Sequence, residues 1–337
     1  VSSFSVFLPV RNGWPYVQEC VASILGQTHT DLELHVLDNI SDDDTVPWLR
    51  SLNDERLKIW LAEQPLPIEQ NWARVKALPK REFMTLIGHD DRLEPEFLAA
   101  VDALIARQPD AALYQTGSRL INARGRTIRN GRPVPERETA ADYLRARFKL
   151  ERDISGTGFV FRSADYDRLG GIPQFERLFF ADDALWLAIL DGGYKAADPR
   201  ELCAVRVHPR SESASLPSAW RPILRGLNRF TAHLRAFAPR DAASRAVIAE
   251  LLPSFLLAYH RNILIFALVD ASTRGRRLDA ASVREIEASL AATDERVARD
   301  LARGGKVRVV DWLNRSPLRR LTPRLWKLYY VLSTRSL

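Results

Sequence analysis

Two carboxylates stand side by side at Asp90-Asp91, where the run Phe83-Met84-Thr85-Leu86-Ile87 gives way to Gly88-His89. A mostly apolar, β-compatible run closed by a turn signal reads as a strand buried on both faces, as in a parallel sheet. The C-terminal end of such a strand opens on the crevice where α/β proteins bind ligands. Adjacent acids in that position suit Mg²⁺ or Mn²⁺, which take hard oxygen ligands from one or two carboxylates and from substrate phosphates. The same two residues would serve as a solvated turn capping a helix that starts near Glu94-Pro95. Position alone does not choose between these.

The elements that position the pair are regular. Residues 5–10, 32–37, 57–61 and 83–87 read as strands, and 14–25, 46–52 and 69–78 as helices. Strands and helices alternating through short connections make βαβ units and a parallel sheet. Parallel strands end on one edge, so the loops carrying Arg11-Asn12, Asp38-Asn39 and Asp90-Asp91 converge there. Several polar loops at one edge, without a glycine-rich phosphate loop, suggest a nucleotide held by its base, its ribose and a metal-bridged diphosphate. The first strand is followed by Arg11-Asn12-Gly13-Trp14 and no Walker-type segment occurs, so dinucleotide and P-loop chemistry fit poorly.

The run FSVFLPVRNGWPYVQECVASILGQTHTDLELHVLDNISDDDT resembles the opening of the family 2 glycosyltransferases of GT-A fold. Ser23-Ile24-Leu25-Gly26-Gln27-Thr28 matches that family's segment, and Asp90-Asp91 falls where it keeps an Asp-x-Asp metal motif. The resemblance covers about residues 4–210. It implies that Pro9, Arg11 and Asn12 line the base and ribose pocket and that Asp38 accepts from the pyrimidine ring N–H. Asp90 would approach the ribose or the metal's water shell, and Asp91 would ligate the metal. Gly88 stands where many members carry a further Asp, while His89 reads as a solvent-facing loop residue. Asn71 falls near a family Asn at the nucleotide, although the residues themselves favour a polar position in an early helix turn.

Beyond the metal strand, 95–107 reads as an amphipathic helix, 112–122 as extended and 139–148 as helical. Ser155-Gly156-Thr157-Gly158 with the strand after it resembles the family's acceptor side, small residues letting a second sugar approach the backbone. Asp182-Asp183 precedes a helix with Leu185, Ile189 and Leu190 on one face. Asp182 would cap that helix with its charge favoured by the dipole. The resemblance puts Asp183 in the position of the general base, which takes the acceptor hydroxyl proton in an inverting transfer. Residues 194–197 and 203–207 read as short strands. A lone His after a strand is usually structural, but the resemblance implies that His208, in Arg206-Val207-His208, completes the metal–diphosphate site, imidazole being a suitable ligand for Mn²⁺. Residues 211–218 read as a flexible lid-like loop.

Composition bounds the rest. The chain has 337 residues, of which 46% are hydrophobic and 27% charged, as expected of a globular protein with a large core. Two cysteines, Cys20 and Cys203, form no disulfide framework or zinc pattern, and a reducing compartment fits best. No signal segment is read at the N-terminus, and the apolar stretch 251–269 is broken by His260, Arg261 and Asn262. Residues 1–220 carry 27 basic against 32 acidic side chains, a net −5; residues 221–337 carry 22 against 10, a net +12. Arg221, Arg225 and Arg229 make a basic stripe, and 315–332 mixes Arg and Lys with Trp, Tyr and Leu. That mixture reads either as an interfacial element meeting lipid phosphates or as an ordinary helical region with a solvated basic face. No nucleic-acid recognition motif accompanies the charge.

The expectation is therefore an α/β protein of GT-A (Rossmann-like) type, a mostly parallel sheet flanked by helices, followed by a basic helical region. Residues 1–219 would form the catalytic domain, 1–110 its nucleotide half and 111–219 its acceptor half, with 220–337 the basic region. The expected activity is metal-dependent inverting transfer of a sugar from a UDP- or dTDP-sugar to a hydroxyl of a glycan or lipid-linked glycan, in bacterial surface polysaccharide synthesis. Mn²⁺ or Mg²⁺ is the expected cofactor. The expected location is the cytoplasm, with peripheral contact at the inner face of the membrane through the C-terminal region. Nucleotidyl transfer is the rival enzyme class, and a non-catalytic nucleotide- or glycan-binding module the rival outside enzymes, since Gly88 thins the metal motif. Calorimetry with UDP and Mn²⁺ separates the last from the others.

Overall fold

Strand β1 (Phe4–Val10) is buried along its whole length and forms the spine of the sheet. The computed structural model describes residues 1–153, 155–208, 211, 215–237 and 239–326. Helix α1 (Tyr16–Leu25) follows, burying Val17, Cys20, Val21 and Ile24 at the three- and four-residue spacing of an amphipathic helix. Next come β2 (Leu32–Asp38), α2 (Thr45–Ser51), β3 (Leu57–Leu61), α3 (Ile68–Ala73) and β4 (Phe83–Leu86). Their order in the sheet is β3-β2-β1-β4, all parallel. Val10 lies opposite Asp38 and Phe7 opposite Leu86, so the loops after β1, β2 and β4 leave from one edge.

The remaining strands extend this parallel core through antiparallel pairings. They are β5 (Arg92–Leu93), β6 (Leu113–Asn122), β7 (Thr127–Asn130), β8 (Arg137–Thr139), β9 (Phe159–Arg162) and β10 (Tyr194–Val207). The sheet continues β4-β9-β6-β10-β5, with β7 on β6 and β8 on β10. Helices α4 (Phe97–Arg107), α5 (Ala140–Phe148), α6 (Ser163–Arg168) and α7 (Ala181–Leu190) connect them. The two short strands expected at 194–197 and 203–207 are one strand, β10. The interruption at Asp198-Pro199-Arg200 is carried within it, Asp198 Oδ1 accepting from the Arg200 amide at 2.9 Å. Gly117 of β6 makes room, since a Cβ there would meet the Pro199 carbonyl oxygen at 2.6 Å.

The segment that carries much of the family resemblance has a structural task. Gln27 is buried, and its amide donates to the Glu94 carbonyl at 2.7 Å and accepts from the Leu98 amide at 2.9 Å. It thus ties the end of α1 to the first turn of α4, whose early N–H groups have no partner within the helix.

By its internal contacts the chain divides into two compact units, residues 1–143 with 152–206, and residues 144–151 with 207–337. The second unit contains α8 (Trp220–Ala236), α9 (Ala242–Thr273), α10 (Ala280–Thr293), α11 (Glu295–Arg303) and α12 (Gly305–Arg315). Residues 144–151 join it through Phe148, packed in a tilted arrangement on Phe255 with ring centres 4.9 Å apart, and through buried Arg147, which donates to the Tyr259 hydroxyl at 3.0 Å. Helix α8 buries Ile223, Leu224, Leu227 and Phe230 and leaves Arg221, Arg225 and Arg229 exposed. Asp241, Asp279 and Asp294 cap α9, α10 and α11 by accepting from early helix amides. By length and composition α9, 32 residues, could cross a membrane, but half of its most apolar window is buried inside the protein, as in a core helix.

Candidate active site

At the rim above β1 and β2 the two loops are stitched to each other. Asp38, the last residue of β2, is buried. Its Oδ1 accepts from Ser41 Oγ at 2.5 Å and its Oδ2 from the Ser41 amide at 3.1 Å. Ser41 Oγ in turn accepts from the Asn12 amide at 2.8 Å, and Asn12 Oδ1 accepts from the Asp42 amide at 2.9 Å. The Gly13 amide donates to Thr45 Oγ1 and the Trp14 amide to Asp43 Oδ2. These bonds fix Asn12 and Ile40 at φ near +53° and +54°, a left-handed region that costs a non-glycine residue about 1–3 kcal/mol. Each Asp38 oxygen has a second lone pair, so one acceptor position per oxygen remains for a ligand N–H.

Of the other residues expected at the nucleotide, Pro9 is buried inside β1 opposite Leu37, whereas Arg11 is exposed at the strand's end. Asn71 is buried with both ends of its amide engaged. Its Nδ2 donates to the Leu37 carbonyl at 3.1 Å, and its Oδ1 accepts from Arg74 at 2.9 Å. Arg74 also reaches the carbonyls of Asp38 and Trp60, so this pair holds the ends of β2 and β3 together. Asn39 clamps the following loop through two 2.8 Å bonds with the Leu66 backbone.

The acidic pair after β4 is asymmetric. Asp91 is turned inward, only 7% exposed, with Oδ2 accepting from Thr157 Oγ1 at 2.5 Å and Oδ1 from the Arg206 amide at 2.9 Å. Burial, and then the neighbouring Asp90 charge, push its carboxyl up to about 8. Asp90 is half-buried. A Cβ placed on Gly88 would lie 3.0 Å from Asp90 Oδ1 and 3.3 Å from Asp91 Oδ2, so both carboxylates border one small space. A side chain at 88 would enter that space, which glycine leaves open. Two crowded carboxylates, one of them disfavoured as an anion by the other, are the arrangement a divalent cation relieves, and hard oxygens suit Mg²⁺ or Mn²⁺. Among the described residues no group of three or more His, Cys, Asp and Glu side chains is disposed to hold a metal. A cation here would depend on substrate phosphates for further ligands. His89 is half-buried rather than solvent-facing, its ring 3.2 Å from the position of a Gly13 Cβ.

Arg206 and Thr157 organise this loop. The Arg206 guanidinium is fully buried and donates to the Asp90 carbonyl at 2.8 Å, to the Asn122 and Ala123 carbonyls at 3.3 Å and to Glu19 at 2.6 Å. It also lies over the Tyr16 ring, 4.8 Å from its centre. One side chain therefore connects α1, the acidic loop and the end of β6. Thr157 bonds Asp91 and also accepts from the Gly88 amide at 3.3 Å. Neither stands out in the sequence, where the Arg-Val-His segment draws attention to its histidine. Only a buried arginine two residues before that histidine hints at a carboxylate partner.

The second acidic pair opens α7. The N-cap position is occupied by Phe180, at φ +66°, and Asp182 and Asp183 lie in the first turn. Asp182 nevertheless satisfies an early helix amide, its Oδ1 accepting from the Asp183 N–H at 2.9 Å. Asp183 is buried and lies one turn before Trp186, which stacks on Phe159 at 4.6 Å. Phe159 begins β9 two residues after Thr157, the partner of Asp91, so Trp186 packs α7 onto the strand that follows that contact. The approach to α7 is strained: Arg177, Leu178 and Phe180 all have positive φ. Glu69 of α3 accepts from the Arg177 amide at 3.2 Å, linking α3 to this segment.

His208 is buried at the start of the second unit, its carbonyl accepting from the Ser211 amide and hydroxyl, both at 2.9 Å. Of the expected lid at 211–218, residues 212–214 lie outside the described residues, as do 327–332 of the basic-aromatic stretch.

Residues 5–170 match the family model described as glycosyl transferase family 2. Chondroitin synthase of Pasteurella multocida (strain Pm70) is 29% identical over 134 residues, 39% of this chain, and chondroitin synthase of Escherichia coli 29% over 138 residues, 40% of this chain. These matches span 14% and 20% of the two relatives' own lengths. Among solved structures, S. aureus TarS 1-349 in complex with UDP-GlcNAc superposes with a TM-score of 0.68 at 16% identity, covering 97% of this chain and 92% of that one. Mannosyltransferase PcManGT from Pyrobaculum calidifontis, in complex with GDP-Man and Mn²⁺, gives 0.52 at 18% identity, covering 98% and 88%. Both carry the GT-A arrangement of sheet and helices seen here. Through its residues 5–170, the chain belongs to glycosyl transferase family 2.

Proposed function

We propose that this chain transfers a glycosyl group, with inversion, from a UDP- or dTDP-sugar to a hydroxyl of a glycan or lipid-linked glycan. The observation that carries this reading is the single edge at which β1, β2 and β4 end, with Asp38 and Asp91 held there by bonds to Ser41, Thr157 and Arg206. Asp38 and the backbone around Asn12 would receive the base and ribose. Asp90 and Asp91 would hold Mn²⁺ or Mg²⁺ together with the donor's phosphate oxygens, and His208 is put forward as an imidazole ligand by the family resemblance alone. When bound, the cation supplies positive charge against the diphosphate leaving group.

Asp183 would accept the proton of the acceptor hydroxyl as that oxygen attacks the anomeric carbon. The bond between that carbon and the diphosphate oxygen breaks, the nucleoside diphosphate leaves, and the proton passes from Asp183 to solvent. Asp182 and the strained turn at 177–180 would position the base rather than react. The solved neighbours carry UDP-GlcNAc and GDP-Man by their titles, and two relatives are named as synthases of chondroitin. This supports a nucleotide-sugar donor and a role in polysaccharide synthesis.

A panel of nucleotide-sugars assayed against glycan acceptors tests the reading. Transfer from a uridine or thymidine donor is the expected result, lost in Asp183→Asn while donor binding persists. Full turnover by Asp183→Asn would refute the base assignment, and nucleotide release from no donor would refute the activity.

A further inference from the structure

Large apolar side chains are seldom left open to water together unless something covers them. Among the described residues eight are strongly exposed, and five of these, Val309, Trp312, Leu318, Leu321 and Leu325, fall within seventeen residues of sequence. Arginines are interleaved with them at 308, 315, 319, 320 and 324, against a single acid, Asp311.

The geometry of α12 makes this a surface. Arg308, Trp312 and Arg315 are spaced by four and three residues and form one exposed stripe, with Val309 at its border. The opposite side contains buried Val310 and Asn314, whose side chain makes two bonds with the Leu278 backbone at 2.8 and 2.9 Å. A 3-10 turn, Pro317–Leu321, continues the patch, capped by Ser316 and closed by Thr322, which donates to the Arg319 carbonyl. Trp326 then packs on Phe266 of α9 at 5.1 Å. The outward Trp and Leu side chains are thus held on an anchored element.

We propose that this face, α12 with the turn after it, docks the second unit on an anionic lipid bilayer. Charge complementarity selects the occupant. A tryptophan flanked by arginines lets the ring enter the headgroup boundary while guanidinium groups meet lipid phosphates, with leucines shallowly inserted beside it. Nucleic acid would use the same cations but would leave Leu318, Leu321 and Leu325 in water. The inference stands on the second unit alone and does not depend on the glycosyl transfer proposed above.

Flotation of the whole chain with phosphatidylglycerol–phosphatidylcholine vesicles and with phosphatidylcholine vesicles tests it. The protein floats with the anionic vesicles, less so at high salt, and remains behind with neutral ones. Arg319→Ala with Arg320→Ala lowers partition about 30-fold, from roughly 1 kcal/mol per cation. Trp312→Ala lowers it about tenfold. Both variants change only exposed or half-exposed side chains, so an unchanged thermal transition and unchanged UDP binding would show that the fold is intact. The proposal is overturned by any of three results: absence of flotation, flotation of the variants equal to that of the unaltered chain, or self-association in lipid-free solution that Trp312→Ala abolishes. Salt-sensitive binding to oligonucleotides without flotation would also overturn it.

Discussion

The sheet edge of the first unit and the buried histidine of α9 in the second treat polar groups in opposite ways. In the first unit each such group at the sheet edge has several partners: Asp91 has Thr157 and the Arg206 amide, Asp38 has Ser41 twice, and Arg206 reaches three carbonyls and Glu19. In the helical unit His260 lies fully buried in α9, Nδ1 on the Leu256 carbonyl at 2.8 Å, and its Nε2 has no partner among the described residues. Buried polar groups that are satisfied on all sides hold one geometry, which a site needs; a half-satisfied one mainly costs stability. The first unit is organised for precision at its edge. The second packs an apolar helical core and leaves basic and a few apolar side chains exposed.

The largest effect that would break this comparison is at the proposed base. Asp183→Asn should lower kcat by about a hundred- to ten-thousandfold, the usual range for losing a general base, with UDP affinity within twofold by titration. A parallel loss of nucleotide binding would mean that Asp183 belongs to the fold of the edge rather than to the reaction.

Arg206 is next. Arg206→Met leaves three carbonyls and Glu19 without their donor and should cost about 3 kcal/mol in denaturant unfolding, with UDP binding weakened because the acidic loop is released. Arg206→Lys keeps the charge but not the five-donor fork, and should recover only part of both. Loss of stability without loss of UDP binding would detach Arg206 from the site.

Sequence and structure part company at this residue. The apolar runs of β1, β2 and β4 and the alternation that makes them parallel are local patterns, and so is the spacing of α1, so the fold and the edge were legible. Arg206 and Asp91 are 115 positions apart, and Thr157 and Asp91 are 66 apart. No periodicity marks such partners, because what pairs them is the antiparallel addition of β9 and β10 beyond β4. Ser41 is different. It lies three residues from Asp38, within reach of the local side-chain turns that Asp favours, and its role was in principle readable. β10 looked like two strands because Asp198-Pro199-Arg200 reads as a turn, and only the neighbouring Gly117 lets the strand continue past it.

In the helical unit the matching prediction concerns acid. Burial pushes His260 down to about 4, below the usual histidine value of about 6.5 in an unfolded chain. The unfolded state therefore binds the proton first as pH falls. Stability is full above about pH 6.5 and declines toward pH 4, by up to about 3 kcal/mol from this residue. His260→Leu should flatten that dependence in thermal melts at pH 7.5 and pH 5. An unchanged slope would mean that the ring is not what makes the bundle acid-labile.

The smallest effect sharpens the picture of the donor rim. Ser41→Ala removes the hydroxyl between Asn12 and Asp38, at about 1 kcal/mol, and should raise the donor KM about fivefold with kcat nearly unchanged. An equal fall in kcat would place Ser41 in the chemistry instead.

The central claim is that acids distant in sequence gather around a cation-bridged diphosphate. Calorimetric titration of UDP into the protein with and without Mn²⁺, repeated for Asp91→Asn, tests it most directly. The account predicts UDP binding that strengthens at least tenfold with Mn²⁺ and loses that gain in the variant. Equal UDP affinity with and without the metal, unaffected by Asp91→Asn, would contradict it.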